Sequence, residues 1–138
     1  MIFSLDAFYD QIYNPARRFE ILFSAVGRLI YGFVVDGRYQ MQVKFKRLDA
    51  TLIITIVGRI DFYTSSVLAD ALRANLKNSV NVIFNFADVD YISSAGIRVM
   101  LQTRKHTQAL NGTIMIKDAN DDVKAVFAIT GIARLFNI

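Results

Sequence analysis

The sequence has no cysteine. That excludes disulfides, thiolate metal sites and cysteine nucleophiles, and it is compatible with a reducing cytoplasm. A single histidine, His106, leaves little for histidine-based metal or triad chemistry. No G-x-x-x-x-G-K-[ST] phosphate loop occurs. The mostly apolar run from Ile21 to Val35 is shorter than the ~20 residues of a membrane span and carries Arg28 near its middle. A secretory signal would put its positive end first and offer a small-residue cleavage site, and the N-terminus shows neither.

The chain has 138 residues, enough for one domain, and 54% of them are apolar, enough for a core without covalent staples. The formal net charge is +4. In residues 1–40, Arg17, Arg18, Arg28 and Arg38 balance Asp6, Asp10, Glu20 and Asp36, so the excess lies downstream. Its only tight cluster is Lys44, Lys46 and Arg47. A nucleic-acid binder shows a basic stripe with interleaved aromatics. This pattern reads instead as a solvated basic surface, and no nucleic-acid partner is expected.

Residues 1–40 differ in texture from the rest and are rich in aromatics, among them Phe3, Phe8, Tyr9, Tyr13, Phe19 and Phe23. Pro15 after Asn14 reads as a turn or helix start. Three readings stay open: an added helix or hairpin packed on the domain, a membrane-surface or partner-binding arm, and an artefact of the assigned start. The segment is an N-terminal extension of unknown role.

From Met41 the pattern becomes regular. Val43 and Phe45 alternate with Lys44 and Lys46, which suits an edge strand with one wet face. Asp49 and Ala50 make a turn. The β-branched run Leu52 to Val57 predicts a strand buried on both faces, ended by Gly58. Thr64, Ser65 and Ser66 offer N-caps to a helix whose face is Leu68, Ala71, Leu72 and Leu76. Val80, Val82, Phe84 and Phe86 alternate with Asn81 and Asn85 as a strand. A helix follows from the "SSAG" junction, with Ile97, Met100 and Leu101 clustered, and Asn111–Gly112 stops it. "TIMI" is a short strand. Asn120 caps a helix with Asp121 and Asp122 in its first turn, Val123, Val126 and Phe127 inward, and Gly131 at its end. "RLFNI" predicts a last strand. The order β-β-α-β-α-β-α-β gives one mixed sheet packed by helices, an α/β domain over residues 41–138.

Enzyme chemistry is poorly supplied, and no catalytic residue, metal or cofactor is expected. Asp61, Asp88 and Asp90 are carboxylates without a defined partner, and the latter two read as solvated acids at a strand end. "SSAG" is not the G-x-S-x-G elbow. His106 lies too far along the same helix to reach Ser94 and reads as a surface residue. Ser93 and Ser94 follow the carboxyl end of a predicted parallel strand, where open α/β sheets build sites, and they start a helix, where anions are accommodated. By themselves, serines there are most simply caps.

The block "IFNFADVDYISSAGIRVML", with "GRID" at Gly58 to Asp61, "TSSVLADAL" and "GTIMIKDANDDVKAVFAITGI", resembles the STAS domain. That fold is shared by anti-sigma factor antagonists and the tails of sulfate transporters. The resemblance implies a cytoplasmic, non-catalytic switch. It would bind an anti-sigma factor with serine/threonine kinase activity when unphosphorylated, leave it when phosphorylated, and be reset by a phosphatase. On the family pattern the phosphoacceptor falls on Ser94, with Ser93 second. Ser93 stands where the family has aspartate, and Ala95 where it has a second hydroxyl. The partner surface would comprise Arg59, Asp61, Tyr63, Ser93, Ser94, Gly96 and Arg98. The rival implication is a STAS subunit of a membrane transport system for lipids or anions, without stable membrane insertion of this chain.

Overall fold

A computed structural model describes the backbone of residues 17–23, 29–35 and 38–138, and side chains from residue 40 onward. The Asn14–Pro15 turn and the Arg28 position lie outside the described residues. The elements are β1 (Arg17–Phe23), β2 (Leu29–Val35), β3 (Arg38–Leu48), β4 (Thr51–Ile60), α1 (Phe62–Leu76), β5 (Asn81–Ile92), α2 (Ser94–Ala109), β6 (Ile114–Lys117), α3 (Asp121–Ile129) and a 3-10 turn (Ala133–Phe136). The six strands form one sheet in chain order. Neighbours from β1 to β4 are antiparallel; β4, β5 and β6 are parallel.

Alternation decides how the sheet is covered. Met41, Val43 and Phe45 of β3, Leu52, Ile54 and Ile56 of β4, Val82, Phe84 and Phe86 of β5, and Ile114 and Ile116 of β6 are all buried. They lie under the buried faces of α1, α2 and α3, which supply Leu68, Leu72, Met100, Val123 and Phe127. Phe84 and Phe86 pack edge to face at 6.1 Å. The opposite positions of β4, Thr51, Ile53, Thr55 and Val57, are half-buried. The sheet thus has helices on one face, and β4 is not enclosed on both as the β-branched run suggested. That run reflects β-propensity on a half-covered face.

Three other expectations are revised. β3 is no edge strand, since β2 pairs along it from Ile30↔Lys44 to Val35↔Arg38. The cap of α1 is Asp61 rather than a hydroxyl of residues 64–66. Its carboxylate accepts from the Tyr63 and Thr64 amides at 3.0 and 2.9 Å, while the Asp61 amide donates to the Thr64 hydroxyl at 2.8 Å. This reciprocal capping box satisfies donors that the first helical turn leaves open. The last segment is a 3-10 turn. Phe136 points inward against Phe127, 5.5 Å between ring centres, and Asn137 adopts φ 55° and donates from its amide to the Ile114 carbonyl at 3.0 Å. The chain end therefore packs against β6 through side chains and adds no ladder.

No helix among the described residues is long and apolar enough to cross a membrane.

Candidate protein-binding surface

β4 and β5 end side by side, with Arg59 in register with Tyr91 and Ile60 with Ile92. The chain therefore leaves the sheet twice at one edge, from β4 into α1 and from β5 into α2. Two register shifts between these strands, near residues 55–57 and 58–59, end the simple alternation, so Val89 and Ile92 point inward while Asp88, Asp90 and Tyr91 face solvent. Gly58 takes φ +103°, and a Cβ there would lie 2.3 Å from the Gln40 carbonyl oxygen, so both conformation and space require glycine.

The β4–α1 turn is fixed from within. Arg59 places its guanidinium 4.6 Å from the Tyr91 ring centre, a cation–π contact, and its Nε lies 3.9 Å from the Asp61 carboxylate. The Thr64 hydroxyl donates to the Arg59 carbonyl at 2.6 Å. Exposed pairs of this kind contribute little stability. Their effect is to hold Arg59 and Tyr91 in one orientation. Phe62 and Tyr63, in edge-to-face contact at 5.4 Å, are 75% and 48% exposed, and Tyr91 is 43% exposed. Three aromatic rings are thus exposed at this end of the sheet.

The α2 entry is seated on the same edge. The Ser93 amide donates to the Ile60 carbonyl at 2.8 Å, tying the start of α2 to the end of β4. The two serines then differ. Ser93 is the N-cap: its hydroxyl accepts from the Gly96 amide at 3.3 Å, and its side chain is half-buried. Ser94 is the first helical residue and is exposed, and its hydroxyl has no hydrogen-bond partner among the described residues. Arg98, one turn along α2, is also exposed. Gly96 is buried. A Cβ there would come within 2.6 Å of Ile60 Cγ2 and 2.8 Å of Ile92 Cγ1, so Gly96 lets α2 approach the strands and is no contact residue.

The structure thus brings Arg59, Asp61 and Tyr63 together on the first exit and Ser93, Ser94 and Arg98 on the second. It withdraws Gly96 from the surface. It adds Phe62, directly after the Asp61 cap, and Tyr91, next to last in β5. No group of three or more metal-ligating side chains occurs among the described residues.

Comparisons with known proteins bear on the fold and the family. The STAS domain family model matches residues 42–138. A Bordetella bronchiseptica protein named as an anti-sigma factor antagonist, BtrV, is 28% identical over 99 residues, 71% of this chain and 85% of the relative. The anti-sigma-B factor antagonist of Bacillus subtilis is 24% identical over 98 residues, 71% and 90% of the two chains. Among solved structures, the Bacillus anti-sigma factor antagonist SpoIIAA shares the fold in two forms. The unphosphorylated form gives a TM-score of 0.61 at 18% identity, covering 68% of this chain and 84% of that one. The phosphorylated form gives 0.55 at 17% identity, covering 68% and 87%.

Proposed function

Because the chain belongs to the STAS domain family, with relatives that are anti-sigma factor antagonists, we propose that it is a non-catalytic antagonist of an anti-sigma factor. It binds that partner through the exposed edge built from Arg59, Phe62, Tyr63, Tyr91, Ser94 and Arg98. Phosphorylation of Ser94 by the partner's kinase activity releases it, and a phosphatase resets it. The observation that carries this reading is the division of labour between the two serines. Ser93 commits its hydroxyl to the helix cap, whereas Ser94, the first residue of α2, presents an exposed one.

A phosphate on Ser94 adds about −1.5 to −2 charge at neutral pH. At the first position of α2 it meets the positive end of the helix dipole, a favourable interaction of about 0.3–1 kcal/mol. The fold therefore tolerates it. Release comes from bulk and charge at the interface rather than from unfolding.

The expected result is that Ser94→Asp weakens binding to a kinase-type anti-sigma factor at least tenfold, about 1.4 kcal/mol. Ser94→Ala keeps most of the affinity and becomes insensitive to ATP. Titration calorimetry on both variants checks this, and mass spectrometry after incubation with kinase and ATP places the phosphate. Equal affinity of the two variants, or full labelling of Ser94→Ala at Ser93, rejects the mechanism.

The same reading confines binding to residues 41–138 and treats residues 1–40 as an extension. Every β3–β4 pair from Met41↔Gly58 onward survives in a chain that begins at Met41. Such a chain is expected to stay soluble, to unfold in one cooperative urea transition and to bind as the full chain does. Aggregation, or a transition broadened beyond two-state behaviour, would make β1 and β2 part of the folding unit.

A further inference from the structure

We propose that the cleft between α1 and α2 is a binding site for a small amphipathic carboxylate, an acid with a short apolar chain. The cleft encloses about 370 Å³, within the size range of small-molecule pockets. Its floor is apolar, made by Leu72 and Leu76 of α1 and Val99 of α2. Among the described residues, Arg73, Lys77 and His106 are the ionisable side chains in its wall, and no carboxylate lines it.

His106 is the informative residue. Its Nε2 is shut off from solvent and has no hydrogen-bond partner, the one side-chain polar atom so placed among the described residues. Buried polar atoms in native proteins nearly always have a partner, and leaving one without costs stability. The neighbouring Thr103 cannot serve as acceptor-bound donor, because its hydroxyl is committed to the Val99 carbonyl at 2.9 Å. The ring lines the cleft, but Nε2 is covered, so a ligand there meets that nitrogen only after the imidazole turns about its second side-chain torsion.

The charges select the ligand. Arg73 is paired with Asp70, whereas Lys77 is exposed and has no ion-pair partner among the described residues. An apolar floor beneath an uncompensated ammonium and a hydrogen-bonding imidazole suits a carboxylate head on a hydrocarbon tail. An alkanol would satisfy the floor alone, and an alkylamine would be repelled by Lys77. His106 lies twelve positions along α2 from Ser94, roughly 18 Å at the helical rise, so both sites can be occupied together.

The test is an amide-resolved NMR titration of the full chain with octanoate, octanol and octylamine. Octanoate is expected to give saturable shifts confined to residues 69–77 and 99–106 and to the His106 ring, with Kd on the order of 0.1–1 mM. Octanol should bind at least about tenfold more weakly and octylamine more weakly still. Lys77→Glu, an exposed change, should weaken octanoate severalfold. Octanol binding as tightly as octanoate, shifts scattered over other elements, or no shift up to about 10 mM octanoate would each overturn the assignment.

Discussion

Gly112→Ala is expected to remove about 3 kcal/mol or more of stability, near the upper end for overpacking. The added carbon would sit 1.6 Å from the Val80 carbonyl oxygen and 2.5 Å from its carbon. Both sides of this contact are backbone, and both are pinned. The Val80 amide donates to the Ala50 carbonyl at 3.0 Å and the Val82 amide to the Thr113 carbonyl at 2.9 Å. The Gly112 amide donates to the Thr107 carbonyl at 2.8 Å, closing α2. No side-chain rotation relieves the overlap, so the start of β5 or the end of α2 must move. A urea titration should show the midpoint falling with its slope unchanged, and Tm should drop by roughly 10 °C. A loss below about 0.5 kcal/mol would mean that residues 110–113 take another path.

Gly96→Val should cost about 2–3 kcal/mol and also disable the switch. The steric conflict here is with the branched carbons of Ile60 and Ile92, both essentially inaccessible to solvent. Gly96→Ala is the control. Its methyl presses on the same two side chains, but alanine gains up to about 1 kcal/mol of helix propensity over glycine, which offsets part of the strain. Valine adds two more methyl groups and has poorer propensity, so it lifts the first turn of α2 off the strands. Ser94 moves with that turn, and labelling by the kinase should slow in the valine variant while the alanine variant stays near normal. Equal stability for all three proteins would show that α2 is not seated on β4 and β5.

The order of strands and helices between residues 41 and 131 was readable because their alternations are clean, but β4 runs past Gly58 to Ile60 and β5 past Phe86 to Ile92. The alternation of Val82, Phe84 and Phe86 with Asn81 and Asn85 gave the covered face of β5, whereas Val80, expected with them, precedes the strand and is half-buried. Other features lacked a sequence signal. Asp61 looked like a turn acid because Thr64, Ser65 and Ser66 are also capping residues, and only the β4 trajectory decides between them. "RLFNI" is too short for periodicity to separate a strand from a 3-10 turn. His106 on a polar stretch gave no sign that its Nε2 is buried without a partner. For the candidate surface, chain order alone placed the two strand ends together, since β4 and β5 are consecutive parallel strands. Burial of Gly96 and exposure of Phe62 and Tyr91 depended on register shifts that no local pattern encodes.

The placement of the basic cluster Lys44, Lys46 and Arg47 has a consequence for the chain before it is folded. β5 can join β4 only after α1 has been made, and β6 can join β5 only after α2, so the parallel part of the sheet closes late through non-local contacts. In that interval Leu52 to Val57, uncharged and without proline, is the kind of segment that stacks with copies of itself. The β3–β4 hairpin closes across the two-residue turn at Asp49–Ala50, on a microsecond scale for such local structure. Closure sets Lys46 beside Ile53 and Arg47 beside Leu52. Charges placed there disfavour stacking of Leu52 to Val57 with copies of itself before any native core covers that strand.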